Sequence, residues 1–72
     1  MPNLTEMNAV IKPTLIEELL LLRRRRGWTQ EECAKRLTVA IATLRAWEIG
    51  NRNPSERLAA LVRKLIDRYS KD

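Results

Sequence analysis

The stretch TQEECAKRLTVAIATLRAWEIG, residues 29–50, determines the fold that we expect for this chain. It begins with the capping box Thr29-x-x-Glu32, in which each side chain satisfies a free backbone N–H of the other residue, so a helix starts there. A second run of apolar residues at helical spacing stops at Gly50, which suits the left-handed conformation of a helix end. The apolar positions of the two short helices are Cys33, Ala34 and Leu37, followed by Ile41, Leu44 and Trp47. The stretch therefore predicts two short helices joined by a tight turn at residues 38–39.

Further helices are expected on both sides of this stretch. A second capping box, Thr14-x-x-Glu17, starts a helix that ends at Gly27. Ser55 caps the last helix, whose apolar residues recur every three or four positions for nearly four turns. These residues are Leu58, Leu61, Val62, Leu65, Ile66 and Tyr69. Residues 1–13 are expected to form an N-terminal extension or a short helix that Pro13 closes.

Length and composition favour one all-α domain. The chain has 72 residues, of which 44% are hydrophobic and only 4% aromatic, with two glycines and three prolines. We predict a single domain, residues 1–72, of four to five helices, with the last helix spanning residues 55–70. The net charge is +5, and the first 22 residues contribute −2 to it, so residues 23–72 carry +7. A basic surface suits a polyanion such as nucleic acid, although charge alone is also compatible with a role in solubility.

Several classes of function are disfavoured by what the chain contains. With one cysteine and no histidine, it offers no metal-ligand cluster, no nucleophile paired with an imidazole and no glycine-rich phosphate loop. We therefore expect no enzymatic activity, no cofactor and no small-molecule ligand. Cys33 is interpreted as a small buried hydrophobic residue. The chain start lacks a signal peptide and residues 15–22 are too few to cross a bilayer, so a cytoplasmic location without membrane contact is expected.

The segment RRRRGWTQEECAKRLTVAIATLRAWEIGNRNPS, residues 23–55, resembles the lambda-repressor and Cro-like helix-turn-helix family, also called the Xre family. The resemblance extends over residues 15–66. It rests on four pieces, which are Gly27-Trp28-Thr29-Gln30-Glu31-Glu32, Ala34-x-x-Leu37, Leu44-x-x-Trp47-Glu48-x-Gly50 and Asn53-Pro54-Ser55. It implies a lambda-repressor-like domain whose helix-turn-helix, residues 29–50, places its second helix in the major groove of double-stranded DNA.

The resemblance also implies roles for individual residues. Arg23 and Glu48 stand where the family commonly forms a partly buried ion pair between the preceding helix and the recognition helix. Gln30 stands at a helix start, where side chain and backbone N–H hold a DNA phosphate. The full set of positions implied to contact phosphates is Thr29, Gln30, Thr43, Asn51, Arg52 and Asn53. Such contacts position the protein and add salt dependence.

The side chains implied to point into the groove form a set that is unusually apolar: Ala40, Ile41, Ala42, Arg45 and Ala46. Arg45 is the one group in it able to make a bidentate contact with guanine, and the competing interpretation is a solvated surface arginine. For Ile41, packing within the domain and contact with thymine methyl groups are both open. Direct readout of bases is therefore expected to be modest.

The turn departs from the family pattern at two positions. Thr38 stands where the family often has glycine, and a β-branched residue in the left-handed conformation is strained by about 1 kcal/mol or more. A turn in which Thr38 avoids the left-handed conformation is therefore an open alternative. Ala40 stands where serine or threonine usually caps the recognition helix, and Thr38 is an alternative cap that would lengthen this helix at its start. Which residues of the recognition helix enter the groove depends on whether this helix starts at Ala40 or at Thr38.

A homodimer is expected because the apolar residues exceed what one small core buries. The family usually adds a fifth helix that helps to form the dimer, whereas this chain ends at Asp72. We predict an interface on the last helix through Leu61, Leu65, Ile66 and Tyr69. The apolar residues of the N-terminal extension, Leu4, Met7, Val10 and Ile11, either join this interface or cover the fifth-helix position within one subunit.

Two functions agree with these features. The first is a transcription regulator, expected to be a repressor of its own promoter or of a phage, mobile-element or toxin gene, which binds an inverted repeat as a homodimer. The second is an antitoxin or adaptor whose helix-turn-helix survives as a scaffold for a toxin or another protein partner. The apolar groove surface keeps the second function open.

Overall fold

A computed structural model of the protein describes residues 14–70, which form four helices and, within that range, no strand. The helices are α1 (Leu15–Arg26), α2 (Gln30–Leu37), α3 (Ile41–Glu48) and α4 (Glu56–Ser70). Helix α1 packs mainly against α4, and α2 packs mainly against α3, while contacts of α2 with α4 and of α1 with α3 join the two pairs. The predicted all-α fold is confirmed. The short helix expected before Thr14 lies outside the described residues.

The two capping boxes fix the starts of α1 and α2. At the first, the Glu17 N–H donates to Thr14 Oγ1 at 3.2 Å, and the Thr14 N–H donates to the Glu17 carboxylate at 2.8 Å. The second repeats this pattern between Thr29 and Glu32, at 3.0 and 2.8 Å. Gly27 ends α1 with φ 72°, in the left-handed region. Both helix starts predicted from the sequence are confirmed.

The core lies where the four helices meet. Each helix contributes one side chain that is completely buried: Leu19 from α1, Cys33 from α2, Leu44 from α3 and Val62 from α4. Burial of a leucine or valine side chain contributes about 1.5–3 kcal/mol to folding. Ala34, 3% exposed, belongs to the same cluster. This packing fixes how α2 and α3 cross and so determines which side of α3 faces outward.

Cys33 provides a test of the core through its ionisation. Burial raises the pKa of the Cys33 thiol above its ordinary value, Arg23 and Arg36 oppose this shift, and Glu48 adds to it. The folded state therefore keeps the thiol proton to a higher pH than the unfolded state does. The neutral thiol of Cys33 therefore stabilises the folded state fully below the unfolded-state pKa, and this contribution to the free energy of unfolding is lost as pH rises through the folded-state pKa.

We accordingly expect the free energy of unfolding to fall more steeply with pH, above about pH 8, in the native chain than in a Cys33→Ala variant. Urea titrations at several pH values measure this difference. Equal slopes for the two proteins would contradict the buried thiol. In the native chain, alkylation of Cys33 should also be slow until urea opens the core.

The turn between α2 and α3 is built with its first residue in the left-handed conformation. Thr38 has φ 58° and ψ 42°, and the Val39 N–H donates to the Ala34 carbonyl at 3.0 Å. This is the Schellman pattern that usually has glycine at the position of Thr38. The alternative in which Thr38 caps and lengthens the recognition helix is wrong. The Thr38 hydroxyl donates to the Leu37 carbonyl, and α3 begins only at Ile41, with Ala40 as an N-cap that makes no side-chain bond.

A Thr38→Asn variant is expected to be more stable than the native chain by about 1 kcal/mol, because asparagine enters the left-handed region with less strain than a β-branched residue. In a domain of this size, such a gain raises the melting temperature by about 4–8 °C. Thermal unfolding followed by circular dichroism measures it. Lys35→Asn, at an exposed position in α2, is the control and should be slightly destabilising. A lower melting temperature for Thr38→Asn would mean that the threonine hydroxyl bond outweighs the strain.

Candidate nucleic-acid interface

Helix α3 has one buried side and one exposed side. Leu44 and Trp47 turn into the core and are 0% and 4% exposed. Ala42 and Arg45 are exposed, as is Ala40 just before the helix. Two further predicted positions, Thr43 and Ala46, are half-buried at the edges of the exposed side. The outward surface of α3 is therefore small and flat, with one long side chain, that of Arg45.

Ile41 differs from the other residues implied to point into the groove. It is half-buried and packs against the core cluster. Of the two interpretations left open by the sequence, the structure favours packing within the domain. The apolar side chain at the start of α3 thus anchors the helix more than it offers a surface to a partner.

Arg23 and Glu48 join the end of α1 to the end of α3. Arg23 donates from Nε to Glu48 Oε2 at 3.0 Å and from Nη2 to Glu48 Oε1 at 3.3 Å, with side chains 18% and 11% exposed. Its third bond, from Nη1 to the Trp28 carbonyl at 3.1 Å, fixes the segment that connects α1 to α2. Because the pair is largely withdrawn from solvent, salt screens it less than a surface pair.

Gln30 extends this pair to the exposed surface of α3. Its Nε2 donates to Glu48 Oε1 at 2.8 Å, and its Oε1 accepts from Arg45 Nε at 3.2 Å. A continuous chain of side-chain hydrogen bonds therefore runs from Arg23 through Glu48 and Gln30 to Arg45. Sequence reasoning placed all four residues but missed that Gln30 links them, because no local pattern reports a bond between residues 15 to 18 positions apart.

The hydrogen bonds of the Gln30 side chain limit how it could make the phosphate contact that the family resemblance implies. Each end of its side-chain amide makes one bond within the domain, so a phosphate would meet its backbone N–H or the second N–H of Nε2, or would displace one of these bonds. For Arg45, only Nε bonds to a described residue, which leaves the two terminal nitrogens of the guanidinium for an outside partner. Thr29 is exposed, but its side chain caps α2.

The start of α3 lacks a side-chain cap. The Ala40 carbonyl accepts from the N–H groups of Thr43 and Leu44, at 3.0 and 3.2 Å. Among residues 14–70, no bond is made by the N–H groups of Ile41 and Ala42 outside their helix, and neither is far enough into α3 to bond within it. Exposed N–H groups at a helix start are suited to a phosphate oxygen.

The loop after α3 is held close to the helix end by its backbone. The N–H groups of Asn51 and Arg52 donate to the Ala46 carbonyl at 2.9 and 3.3 Å. The side chains of Asn51, Arg52 and Asn53 are all exposed. Beside them, Ile49 is 73% exposed, an unusual fraction for a large apolar side chain. The loop thus adds one cation and two amides to the edge of the α3 surface.

The four residues predicted for a dimer interface fall into two pairs, one packed within the domain and one partly exposed. Leu65 is only 8% exposed and lies in the core of the domain. Tyr69 lies edge-on to Trp28, with ring centroids 5.0 Å apart. Leu61 and Ile66 are half-buried and keep part of their surface in solvent. An interface on α4 would thus draw mainly on Leu61 and Ile66.

Two arginines complete the cluster around Tyr69, and sequence reasoning missed both. Arg36 lies 4.4 Å from the centre of the Trp28 ring and donates to the Tyr69 hydroxyl at 3.0 Å. Arg26 lies 4.9 Å from the centre of the Tyr69 ring and donates to the Tyr69 carbonyl at 3.1 Å. Cation–π contacts of this kind contribute about 0.5–1 kcal/mol each at exposed sites. The cluster fastens the end of α4 to α1 and α2.

Residues 14–70 contain no group of three or more potential ligands placed to hold a metal ion. None of the helices in this part of the chain has the length and apolar character needed to span a bilayer.

Comparison with known proteins agrees with this geometry. A family model described as Helix-turn-helix matches residues 19–70, which include most of α1 and all of α2, α3 and α4. No curated protein and no solved structure matches the chain significantly.

Proposed function

Since the chain belongs to this helix-turn-helix family, of the lambda-repressor and Xre-like type, we propose that it represses a promoter by binding an inverted-repeat operator as a homodimer. Membership of the family indicates a DNA-binding transcription regulator. Its proposed place of action is the cytoplasm. The observation that carries the proposal is the exposed side of α3, with Arg45 held by Gln30 and backed by the ion pair of Arg23 and Glu48.

Base readout in this proposal rests on Arg45. A guanidinium forms two parallel hydrogen bonds with O6 and N7 of guanine, and each such bidentate contact discriminates by about 1–3 kcal/mol. The bond from Arg45 Nε to Gln30 restricts the side chain before DNA arrives, so less rotamer freedom is lost on binding. Ala40, Ala42 and Ala46 let the backbone of α3 approach the floor of the groove and contact thymine methyl groups.

Phosphate contacts in this proposal surround the α3 surface. The uncapped N–H groups of Ile41 and Ala42 lie at its start, Gln30 and Thr29 lie beside it, and Thr43 lies at its flank. The loop residues Asn51, Arg52 and Asn53 lie at its other end. With a net charge of +5, the protein is expected to bind DNA of any sequence weakly and to lose this binding as salt rises.

The proposed homodimer places two α3 helices in major grooves about 34 Å apart, one turn of the duplex. Leu61 and Ile66 on α4 supply the partly exposed apolar surface for it. Because Leu65 and Tyr69 are committed to their own subunit, this interface is smaller than the sequence alone would suggest, and operator DNA is expected to promote dimerisation.

A titration with labelled DNA tests the proposal. Fragments from upstream of the gene, and a randomised pool subjected to selection, are bound at two salt concentrations with an excess of unlabelled competitor DNA. We expect an enriched inverted repeat that survives competition, with affinity falling at the higher salt concentration. Binding that is equal for all fragments would count against the proposal.

A second function, that of an antitoxin or adaptor, is favoured by one observation. Apart from Arg45, the exposed side of α3 is mostly alanine, and Ile49 beside it is 73% exposed. Such a surface suits a protein partner such as a toxin. An Ile49→Ser variant separates the two functions, because it removes the apolar side chain without adding a negative charge beside the proposed phosphate contacts. It should abolish capture of a co-expressed toxin, whereas operator binding should lose much less.

A further inference from the structure

A shallow groove between α1 and α4 is the second place where an apolar side chain is widely exposed. It consists of two depressions of about 210 and 170 Å³ that share Glu18 and Ile66. Leu21, in its wall, is 57% exposed. We call it the α1–α4 groove and define it by Leu15, Glu18, Leu21, Leu22, Arg25 and Ile66. Nothing in the proposed DNA contacts uses this surface.

We propose that the N-terminal segment of the same chain, residues 1–13, folds back along α1 and covers the α1–α4 groove. The segment joins α1 at Thr14, immediately before Leu15, which lines one end of the groove. Its occupancy of the groove is therefore intramolecular and has the high effective concentration of a short tether. The inference concerns the stability and assembly of the domain and leaves the exposed side of α3 untouched. The groove shares Ile66 with the proposed dimer interface, so a docked segment leaves Leu61 as the main apolar residue of that interface.

The spacing of apolar residues in the segment suits the groove. Leu4, Met7, Val10 and Ile11 fall on one side of a helix. Such a helix would be about 10 Å long from residue 4 to residue 11, the same as the distance along α1 from residue 15 to residue 22. Pro13 disfavours helical conformation in the residue before it, so the chain can reverse direction there.

Charge complementarity gives the direction of the segment. If it runs antiparallel to α1, Lys12 lies at the end of the groove that has Glu18 and Asp67, together with Arg63. Glu6 then lies toward the other end of the groove, whose lining contains two charged residues, Arg25 and Glu18. In this direction Lys12 has two carboxylates in the adjoining lining and Glu6 has one guanidinium, each beside one like charge. A segment running in the other direction is excluded by its tether at Thr14.

A cross-linking experiment in the full chain tests the proposal. Met7→Cys and Leu21→Cys are combined in a Cys33→Ala background and treated at low protein concentration with a short bifunctional maleimide. We expect a cross-link within one chain, seen as a band at monomer size that has lost both free thiols. A matched protein with Met7→Cys and Glu31→Cys, whose second cysteine lies on exposed α2, should give little cross-link.

Two outcomes would overturn the proposal. A cross-link formed only between chains would show that a second copy covers the groove, and a yield no higher than that of the control would show that the segment does not dock. If Cys33→Ala impairs folding, the native chain allows a second test with Val10→Asp, Leu21→Asp and the double variant. We expect each single change to lower the melting temperature by at least about 4 °C, and the double variant to lose little more than either. Additive losses would contradict the contact.

Discussion

Replacing Glu48 with alanine is expected to lower the free energy of unfolding by about 2–3 kcal/mol. The carboxylate accepts two bonds from Arg23 and one from Gln30. Its removal leaves the Arg23 guanidinium, 18% exposed, without its counter-ion. A single-core domain of this size has a total stability of only about 3–5 kcal/mol, so this loss would unfold a large part of the population at physiological temperature.

Urea unfolding of the native chain and three variants isolates the role of the carboxylate. Glu31→Ala, at an exposed position in α2, is the control for loss of a glutamate and should cost much less. Glu48→Gln keeps the acceptor for Gln30 and should fall between the two. Combining Arg23→Ala with Glu48→Ala should cost less than the sum of the single changes, since the two residues interact directly. Equal losses for Glu48→Ala and Glu31→Ala would show that the chain of side-chain bonds does not hold α1 to α3.

Replacing Arg45 with alanine is expected to weaken operator binding by about 1–3 kcal/mol, which is about 5- to 150-fold in the dissociation constant. The reason is loss of the one side chain on the outward surface of α3 that can pair with a guanine. Arg45 is exposed, so the variant should fold as the native chain does. Fluorescence anisotropy with the selected operator measures the loss of affinity.

Arg45→Lys is the matched variant for this measurement. Lysine keeps the positive charge but not the fork of two parallel donors, so discrimination at the guanine should fall while binding to unrelated DNA stays almost unchanged. Arg68→Ala, at an exposed position near the end of α4, controls for the loss of one charge. If Arg45→Ala weakens binding to operator and to unrelated DNA by the same factor, Arg45 contacts a phosphate and does not read a base.

Local signals made the helices predictable from the sequence. Thr14 and Thr29 each form their capping box within four residues, and Gly27 needs only its own conformational freedom to end α1. The apolar spacing in α3 likewise predicted that Leu44 and Trp47 are buried. Helix starts, helix ends and the buried side of a helix depend on neighbours about one helical turn away. They can therefore be predicted without knowing how the whole domain packs.

The remaining features depend on residues distant along the chain. Gln30 meets Glu48 and Arg45 only because α2 and α3 cross at a particular angle. Thr38 takes the left-handed conformation because the Schellman bonds and the packing of α2 against α3 outweigh its own preference. Tyr69 was assigned to an interface because its spacing in α4 matches the apolar stripe, and no pattern in the sequence brings it to Trp28.

The edge-on contact of Tyr69 with Trp28 gives the protein an intrinsic optical reporter. Tyr69 is the only tyrosine in the chain, and at a centroid distance of 5.0 Å its excitation passes to the indole before it can be emitted. The native emission spectrum should therefore contain tryptophan light alone. Tyrosine emission, seen at shorter wavelength, should appear when the end of α4 leaves its place, whether or not α2 and α3 remain together. Detachment of the last helix can in this way be observed without attaching a dye.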